Sequence, residues 1–219
     1  ANATNGLGVR RDKFEFSTYD LLLRDKDIES CLIKMERPPM DLLPSNIDLA
    51  AADMEAAEYK VGREKLLKQK LEKVREQYDF IIIDCPPSLG TLNTNALTAA
   101  DSVLIPVQCE YYALEGITQL LRTIRLVKRL FNPELTIEGV LLTMYDKRLN
   151  ICREVAEEIH EYFKGSTYNV IIPRNVKLTE APSQSRSIFD YDLHSDGAKA
   201  YAQLVKELIS RNSGKAQGE

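Results

Sequence analysis

The chain has 219 residues, with 29 Lys and Arg against 33 Asp and Glu, for a net charge of −4. That balance excludes a polycation, so any nucleic-acid binding has to come from a local basic surface. The four cysteines, Cys31, Cys85, Cys109 and Cys152, are far apart with no CxxC pair, which argues against zinc and a disulfide scaffold and suits a reducing compartment. No apolar stretch approaches the length that crosses a bilayer.

In chain order, residues 1–16 are polar and glycine-punctuated and read as a loop. Ser17-Thr18-Tyr19-Asp20 offers N-caps for a short helix through Leu21-Leu22-Leu23. Met40 to Pro44 is a short strand candidate. Residues 49–77 carry helix formers, with Leu66, Leu67, Leu71 and Val74 at helical spacing. Phe80 to Asp84 is an apolar run ending in an acid, the pattern of a strand buried on both faces of a parallel sheet. Cys85-Pro86-Pro87 then makes a rigid turn. Ser102 to Val107 is a second buried strand. Residues 111–131 form the clearest helix, with Leu114, Ile117, Leu120, Leu121, Ile124, Val127 and Phe131 on one face. Ile137 to Thr143 is a third strand, Ile151 to Phe163 a helix, and Asn169 to Ile172 a fourth strand. Ser195 caps a final helix whose apolar face is Ala198, Tyr201, Leu204, Val205, Leu208 and Ile209, and Asn212 to Glu219 reads as a disordered tail. Strands alternating with helices predict a single domain over 1–211, an α/β fold with a mainly parallel, twisted sheet flanked by helices.

Asp84 carries the chemistry. Ligands of open α/β sheets bind beyond the carboxyl ends of the strands. An acid there can hold a phosphate-bound Mg²⁺ through water, or simply cap the following turn. Its usual companion is a glycine-rich loop ending in Lys and Ser or Thr. No such run occurs in these residues.

The run YDFIIIDCPPSLGTLNTNAL at 78–97 resembles the Walker B region of the ParA/Soj partitioning ATPases, a branch of the deviant-Walker-A group of P-loop NTPases that includes MinD. Asn2-Ala3-Thr4-Asn5-Gly6-Leu7-Gly8, residues 42–50, Thr143-Met144-Tyr145-Asp146-Lys147-Arg148 and the stretch from Ile172 to Ser183 are similar to further family signatures in the right order. The family's phosphate loop and its first βαβ portion find no counterpart here, so the resemblance leaves the catalytic residues unassigned. It also implies that these residues are not expected to hydrolyse ATP by themselves. The family's phosphate-loop strand is central to the sheet, so its lack predicts unpaired backbone and exposed apolar surface.

The resemblance implies roles residue by residue. Asp84 faces Mg²⁺, and Pro86, within Pro86-Pro87-Ser88-Leu89-Gly90, belongs to the segment that senses the γ-phosphate. Pro173, Arg174 and Asn175 lie against the adenine, with Asn175 able to hydrogen-bond its edge; a plain strand-to-helix turn explains them as well. Arg148 and Lys177 contact DNA without sequence preference. Lys177 stands where the family often has Arg, which keeps the charge and loses the bidentate fork. Arg122, Arg125, Lys128 and Arg129 read as a solvated face, and Cys85 as a small hydrophobe beside a buried strand.

The resemblance as a whole implies an ATPase for chromosome or plasmid segregation in the cytoplasm, associated with the nucleoid. ATP and Mg²⁺ join two copies into a homodimer that binds DNA, and a ParB/Spo0J-like partner stimulates hydrolysis. Two rivals remain: a MinD-like, membrane-associated division-site ATPase, and a fragment that binds DNA or a partner without nucleotide. The first wants a free amphipathic C-terminal helix, whereas the apolar face of the final helix is expected in the core.

Overall fold

The computed structural model describes residues 2–36, 39–55, 62–87, 90–111 and 113–213, and these group into two compact units. The first comprises Ala1–Asp101 with Arg122–Leu135, and the second Ser102–Leu121 with Thr136–Glu219.

The first unit is built from short elements. The expected opening loop holds a one-turn helix α1 (Asn2–Gly6) and a 3-10 turn at Arg11–Lys13. Helix α2 (Thr18–Leu23) starts at the predicted cap, where the Ser17 N–H and hydroxyl both donate to Asp20 Oδ2, at 2.9 and 2.8 Å. Helix α3 (Ile28–Cys31) leads into strands β1 (Ile33–Met35) and β2 (Met40–Leu42). The Met40 strand is present but pairs antiparallel with β1, in register Lys34↔Asp41, so it is half of a hairpin.

The helix-forming stretch 49–77 folds as several short pieces. Its described parts are a 3-10 turn at Ile47–Ala50, α4 (Ala52–Glu55), a turn at Arg63–Lys65, α5 (Leu66–Leu71) and a turn at Arg75–Gln77; residues 56–61 lie outside the described set. Helix α6 (Thr91–Ala99) completes the unit's own helices. Leu21, Ile28, Cys31 and Val74 form its buried core, with Phe16, Leu43, Leu71 and Tyr78 packed on them.

Side-chain amides join these pieces. Buried Asn95 accepts from the Leu67 N–H at 3.1 Å and donates to Arg63 O at 2.7 Å, while Asn132 Nδ2 donates to Leu97 O and Ala100 O at 3.0 and 2.7 Å. Each amide thereby satisfies backbone groups that short helices leave open.

The strand expected at Phe80–Asp84 does not form. These residues have no strand or bridge partner among the described residues, and Phe80, Ile81 and Ile82 are 49%, 40% and 87% exposed. A strand's hydrogen bonds all run to a neighbouring segment, so an apolar run without a neighbour cannot become one. Cys85, expected to pack as a small hydrophobe, is exposed for the same reason.

In the second unit the parallel α/β reading holds. Strands β3 (Ser102–Gln108) and β4 (Thr136–Thr143) pair in parallel, from Ser102↔Thr136 to Gln108↔Thr143 with one irregularity at Val103/Leu104. Helix α7 (Ala113–Leu130) connects them, as predicted; its part up to Leu121 belongs to this unit and buries Ile117 and Leu121, and its part from Arg122 belongs to the first, burying Ile124 and Val127 while Arg122, Arg125, Lys128 and Arg129 stay exposed. Then come α8 (Asn150–Tyr162), α9 (Val176–Ser183), α10 (Ile188–Tyr191) and α11 (Asp196–Ser213). Ser195 caps α11 as expected, its Oγ accepting from the Ala198 N–H at 3.1 Å.

The fourth strand is reduced to bridges. Val140 pairs with Thr167 and Tyr145 with Pro173, both parallel, and Ile172 N–H donates to Leu142 O at 2.9 Å. Between them the N–H groups of Asn169 and Val170 donate to the Glu207 carboxylate of α11, at 3.0 and 3.2 Å, which takes them out of a ladder.

The core of this unit is Leu141, Tyr168, Ile172, Ala200 and Leu204, with Leu104, Val170, Leu178, Tyr201 and Leu208 against it. The apolar face of α11 is therefore largely used, although Val205 and Ile209 are 48% and 46% exposed. The helix runs through Asn212 and Ser213 of the expected tail, and residues 214–219 lie outside the described set.

A Cβ at Gly139 would meet Tyr168 Cε2 at 2.6 Å and Ser166 O at 2.9 Å. Gly139→Ala is therefore expected to lower stability by about 1–3 kcal/mol in urea unfolding, the usual range for overpacking. In hydrogen exchange, the amides of Phe80–Ile83 should exchange fast while those of Val140–Leu142 stay protected.

Candidate functional site

The predicted site residues fall in both units. Asp84 and Pro86 belong to the first; Arg148, Pro173, Arg174, Asn175 and Lys177 belong to the second.

In the first unit, Asp84 follows the unpaired apolar run and is exposed. It makes no ion pair among the described residues. With Ile83, Cys85, Pro86, Leu92 and Asn95 it lines a cavity of about 70 Å³. Asn93, near the start of α6, donates from Nδ2 to Pro86 O at 3.0 Å and so fixes the turn after Asp84. Ser88 and Leu89 of the expected γ-phosphate segment lie outside the described residues.

The cavity is far below the roughly 300–1,000 Å³ of ordinary ligand pockets, so these residues do not enclose a nucleotide. What they offer is one uncommitted carboxylate. Among the described residues there is no cluster of three His, Cys, Asp or Glu side chains able to cage a metal. Mg²⁺ does not require one, because it keeps several waters and takes one or two carboxylates plus phosphate oxygens. Asp84 fits that outer role.

In the second unit, the end of β4 sets the geometry. Met144 takes a left-handed backbone conformation, φ 54°, which costs a non-glycine residue about 1–2 kcal/mol. Such strain is held where the surroundings over-determine it, and here they do. Tyr145 N–H donates to Ile172 O at 3.1 Å, and Arg174 N–H donates to Tyr145 O at 2.9 Å. The bridge Tyr145↔Pro173 therefore starts two loops side by side, one carrying Arg148 and the other Arg174, Asn175 and Lys177.

Arg148, Lys177 and Arg174 each already have an acid. Arg148 is 82% exposed at its side chain and forms a fork with the nearly buried Asp146: Nε to Oδ1 at 2.9 Å and Nη2 to Oδ2 at 2.6 Å. Asp146 Oδ1 also accepts from the Arg148 N–H at 3.0 Å, closing a tight turn. Lys177 Nζ donates to Glu180 Oε2 at 3.0 Å, and the Tyr191 hydroxyl donates to the same oxygen at 2.9 Å. Arg174 Nη2 lies 3.4 Å from Glu110 Oε1.

Asn175 caps helix α9, its Oδ1 accepting from the Lys177 N–H at 2.8 Å. That commits the amide oxygen and leaves the Nδ2 hydrogens for any base edge. Both readings of Pro173-Arg174-Asn175, nucleotide contact and strand-to-helix turn, are therefore compatible with the same side chain.

The Arg148 fork holds the Asp146 carboxyl well below the usual carboxylate range, with Arg174 adding to the effect. The bond to Lys177 lowers Glu180 in the same sense, helped by the Tyr191 hydroxyl. Burial pushes the Cys109 thiol up to about 11, which leaves it inert. Reading the sequence for cations missed the acids Asp146, Glu180 and Glu110 and the positioning amide of Asn93. The i to i+3 spacing of Lys177 and Glu180, and the closeness of Asp146 to Arg148 in the chain, were the available signals.

A family model described as an AAA domain matches residues 1–137. The sporulation initiation inhibitor protein Soj of Bacillus subtilis is 51% identical over 95% of this chain and 82% of its own length. The chromosome partitioning protein ParA of Myxococcus xanthus is 47% identical over 98% and 76%. Among solved structures, a putative plasmid partition protein from Borrelia burgdorferi bound to AMPPNP superposes with a TM-score of 0.75, at 26% identity over 96% of this chain and 83% of that one. Cobyrinic acid a,c-diamide synthase from Mycobacterium smegmatis, with a bound ATP analog and magnesium, gives 0.78 at 37% identity over 94% and 76%.

The depressed Asp146 carboxyl yields a titration with a definite sign. A folded value below the unfolded one means a contribution present above the ordinary aspartate value of about 3.9 and lost as pH falls through the folded value. Carbonyl NMR should find Asp146 still ionised at pH 4, where an ordinary aspartate is about half protonated. Arg148→Ala should return it towards the ordinary value.

Proposed function

Because the chain belongs to the Soj/ParA family of chromosome-partitioning ATPases, we propose that it moves DNA by an ATP-controlled switch in which Arg148 and Lys177 grip the phosphate backbone and Asp84 faces the nucleotide's Mg²⁺. The observation that carries the reading is the Tyr145–Pro173 bridge, which brings the Arg148 loop and the Lys177 loop together at one end of β4. Their exposure suits a partner that approaches from solvent. Binding without sequence preference needs only charge placed against phosphates.

The 219 residues contain no run of glycines ending in Lys and Ser or Thr, so the phosphate cradle is not assigned to any of them. Asp84 would hold Mg²⁺ through water, and Pro86, anchored by Asn93, would follow the γ-phosphate. Arg174 and Asn175 would meet the adenine, the latter through its free amide hydrogens. When bound, ATP with Mg²⁺ supplies the negative charge and the bridging geometry that favour two copies face to face. Doubling the cations in a homodimer then raises DNA affinity steeply. A ParB/Spo0J-like partner would end the cycle by stimulating hydrolysis, leaving the protein associated with the nucleoid only part of the time.

A membrane-surface role is disfavoured, because Ala198, Ala200 and Leu204 of α11 are buried. No helix among the described residues is long and apolar enough to cross a membrane.

Fluorescence anisotropy on two unrelated duplexes, with ATP and Mg²⁺, tests the assignment. Arg148→Ala and Lys177→Ala should each weaken binding equally on both duplexes and lower the slope of log K against log salt by at most about 1. Unchanged affinity and slope in both variants would refute the DNA role of these residues. Asp84→Ala should abolish the Mg²⁺ dependence of nucleotide binding.

A further inference from the structure

Both cations assigned to DNA are closed onto acids of their own chain. Asp146 forks Arg148 through two hydrogen bonds while keeping its own side chain only 11% exposed. Glu180 holds Lys177 and is itself fixed by the Tyr191 hydroxyl. Lys177 lies in the first turn of α9, where the helix dipole disfavours a cation, so the acid three residues on is what steadies it. Each pair is locally neutral. At physiological salt a charge is felt over about 8 Å, so a phosphate reaching either cation also meets the carboxylate behind it.

We infer that Asp146 and Glu180 are intramolecular counter-ions that restrain DNA affinity: they must yield part of their cation to a phosphate whenever DNA binds. This rests on the DNA role proposed for Arg148 and Lys177. The geometry supports restraint over mere positioning. The fork occupies the Nε and Nη2 edge of Arg148, an edge that gives a bidentate grip on phosphate, and leaves Nη1 outside it. On binding, a carboxylate relieved of its cation takes up a salt cation, which offsets one ion released from the DNA. The pairs therefore lower both the affinity and its salt dependence. They make the grip of one copy weak, so that retention on DNA depends on adding a second copy's cations.

Asp146→Asn is a clean probe, because the amide oxygen can still accept from the Arg148 N–H and keep the turn. Glu180→Gln likewise keeps an acceptor for Tyr191. The measurement is duplex binding across a KCl series, on the protein as it occurs in the cell, with ATP and Mg²⁺. Each variant should bind roughly two- to fivefold tighter, the range of an exposed ion pair, with a slope steeper by up to about 0.9. The Asp146→Asn/Arg148→Ala double variant should match Arg148→Ala alone, since the acid acts only through its cation. If Arg148→Ala weakens binding but Asp146→Asn leaves it unchanged or weaker, the restraint is overturned and the DNA assignment stands. If neither Arg148→Ala nor Lys177→Ala has an effect at any salt, both fall. A melting temperature within a few degrees of the parent's excludes unfolding as the cause of either result.

Discussion

The hydrogen bonding along both edges of β4 organises everything the second unit does. On one side Thr136–Thr143 runs in parallel register with β3, and on the other it meets the 166–174 segment through interrupted bridges. A strand held on both edges has little freedom at its carboxyl end, which is where ligands of α/β sheets collect. The close approach of the second edge depends on Gly139, where any Cβ would strike the Tyr168 ring. The other side of the cluster is closed by Arg211, whose guanidinium lies 3.9 Å from that ring's centroid and donates to Thr167 O and to Glu207. Glu207 in turn takes the N–H groups of Asn169 and Val170. The C-terminal helix is therefore part of the scaffold that aims the Arg148 and Lys177 loops, although it carries neither.

The first unit is held together by different means. Among the described residues before Asp101 its helices are short and the strand pairing is a three-residue hairpin. Buried amides, Asn95 and Asn132, supply the bonds that a continuous sheet would otherwise provide. The contrast explains why Asp84 stands at the end of an exposed apolar run and not at the edge of a sheet: the neighbour that would make Phe80–Asp84 a strand is not among the described residues. An apolar run of that kind is poised for backbone pairing, and pairing would bury Phe80, Ile81 and Ile82 while fixing the direction in which Asp84 points.

Charge is handled locally throughout. A chain of net charge −4 needs cations concentrated in one place to hold a polyanion, yet Arg148 and Lys177 are matched by acids two and three residues away and Arg174 by Glu110. The surface proposed for DNA is thus one of exchangeable ion pairs. On that proposal it suits a switch, because a weak single grip would let assembly of two copies decide between bound and free.

Much of the second unit was legible in the sequence. The periodic helix at 113–130, the apolar strands at 102–108 and 136–143 and the Ser195 cap all follow from local pattern, which depends only on neighbours along the chain. The family motifs pointed to Asp84, Arg148 and Lys177 from residue identity alone, and their roles are proposed. What local pattern could not supply is partnership. Phe80–Asp84 has the composition of a buried strand, but a strand exists only where a second segment accepts its hydrogen bonds. Asn169–Ile172 has the same signal, and Glu207 takes its donors. The helix formers of 49–77 are divided among short helices and turns, and Met40–Leu42 folds back as a hairpin. The pairing of Arg148 with Asp146 and of Lys177 with Glu180 was hidden for a related reason, since a cation reads as free until the backbone shows which acid it can reach. The sequence by itself determined which residues carry charge and which prefer the core; only the tertiary structure decided what each one touches, because hydrogen bonds and ion pairs are properties of two groups brought together and not of either alone.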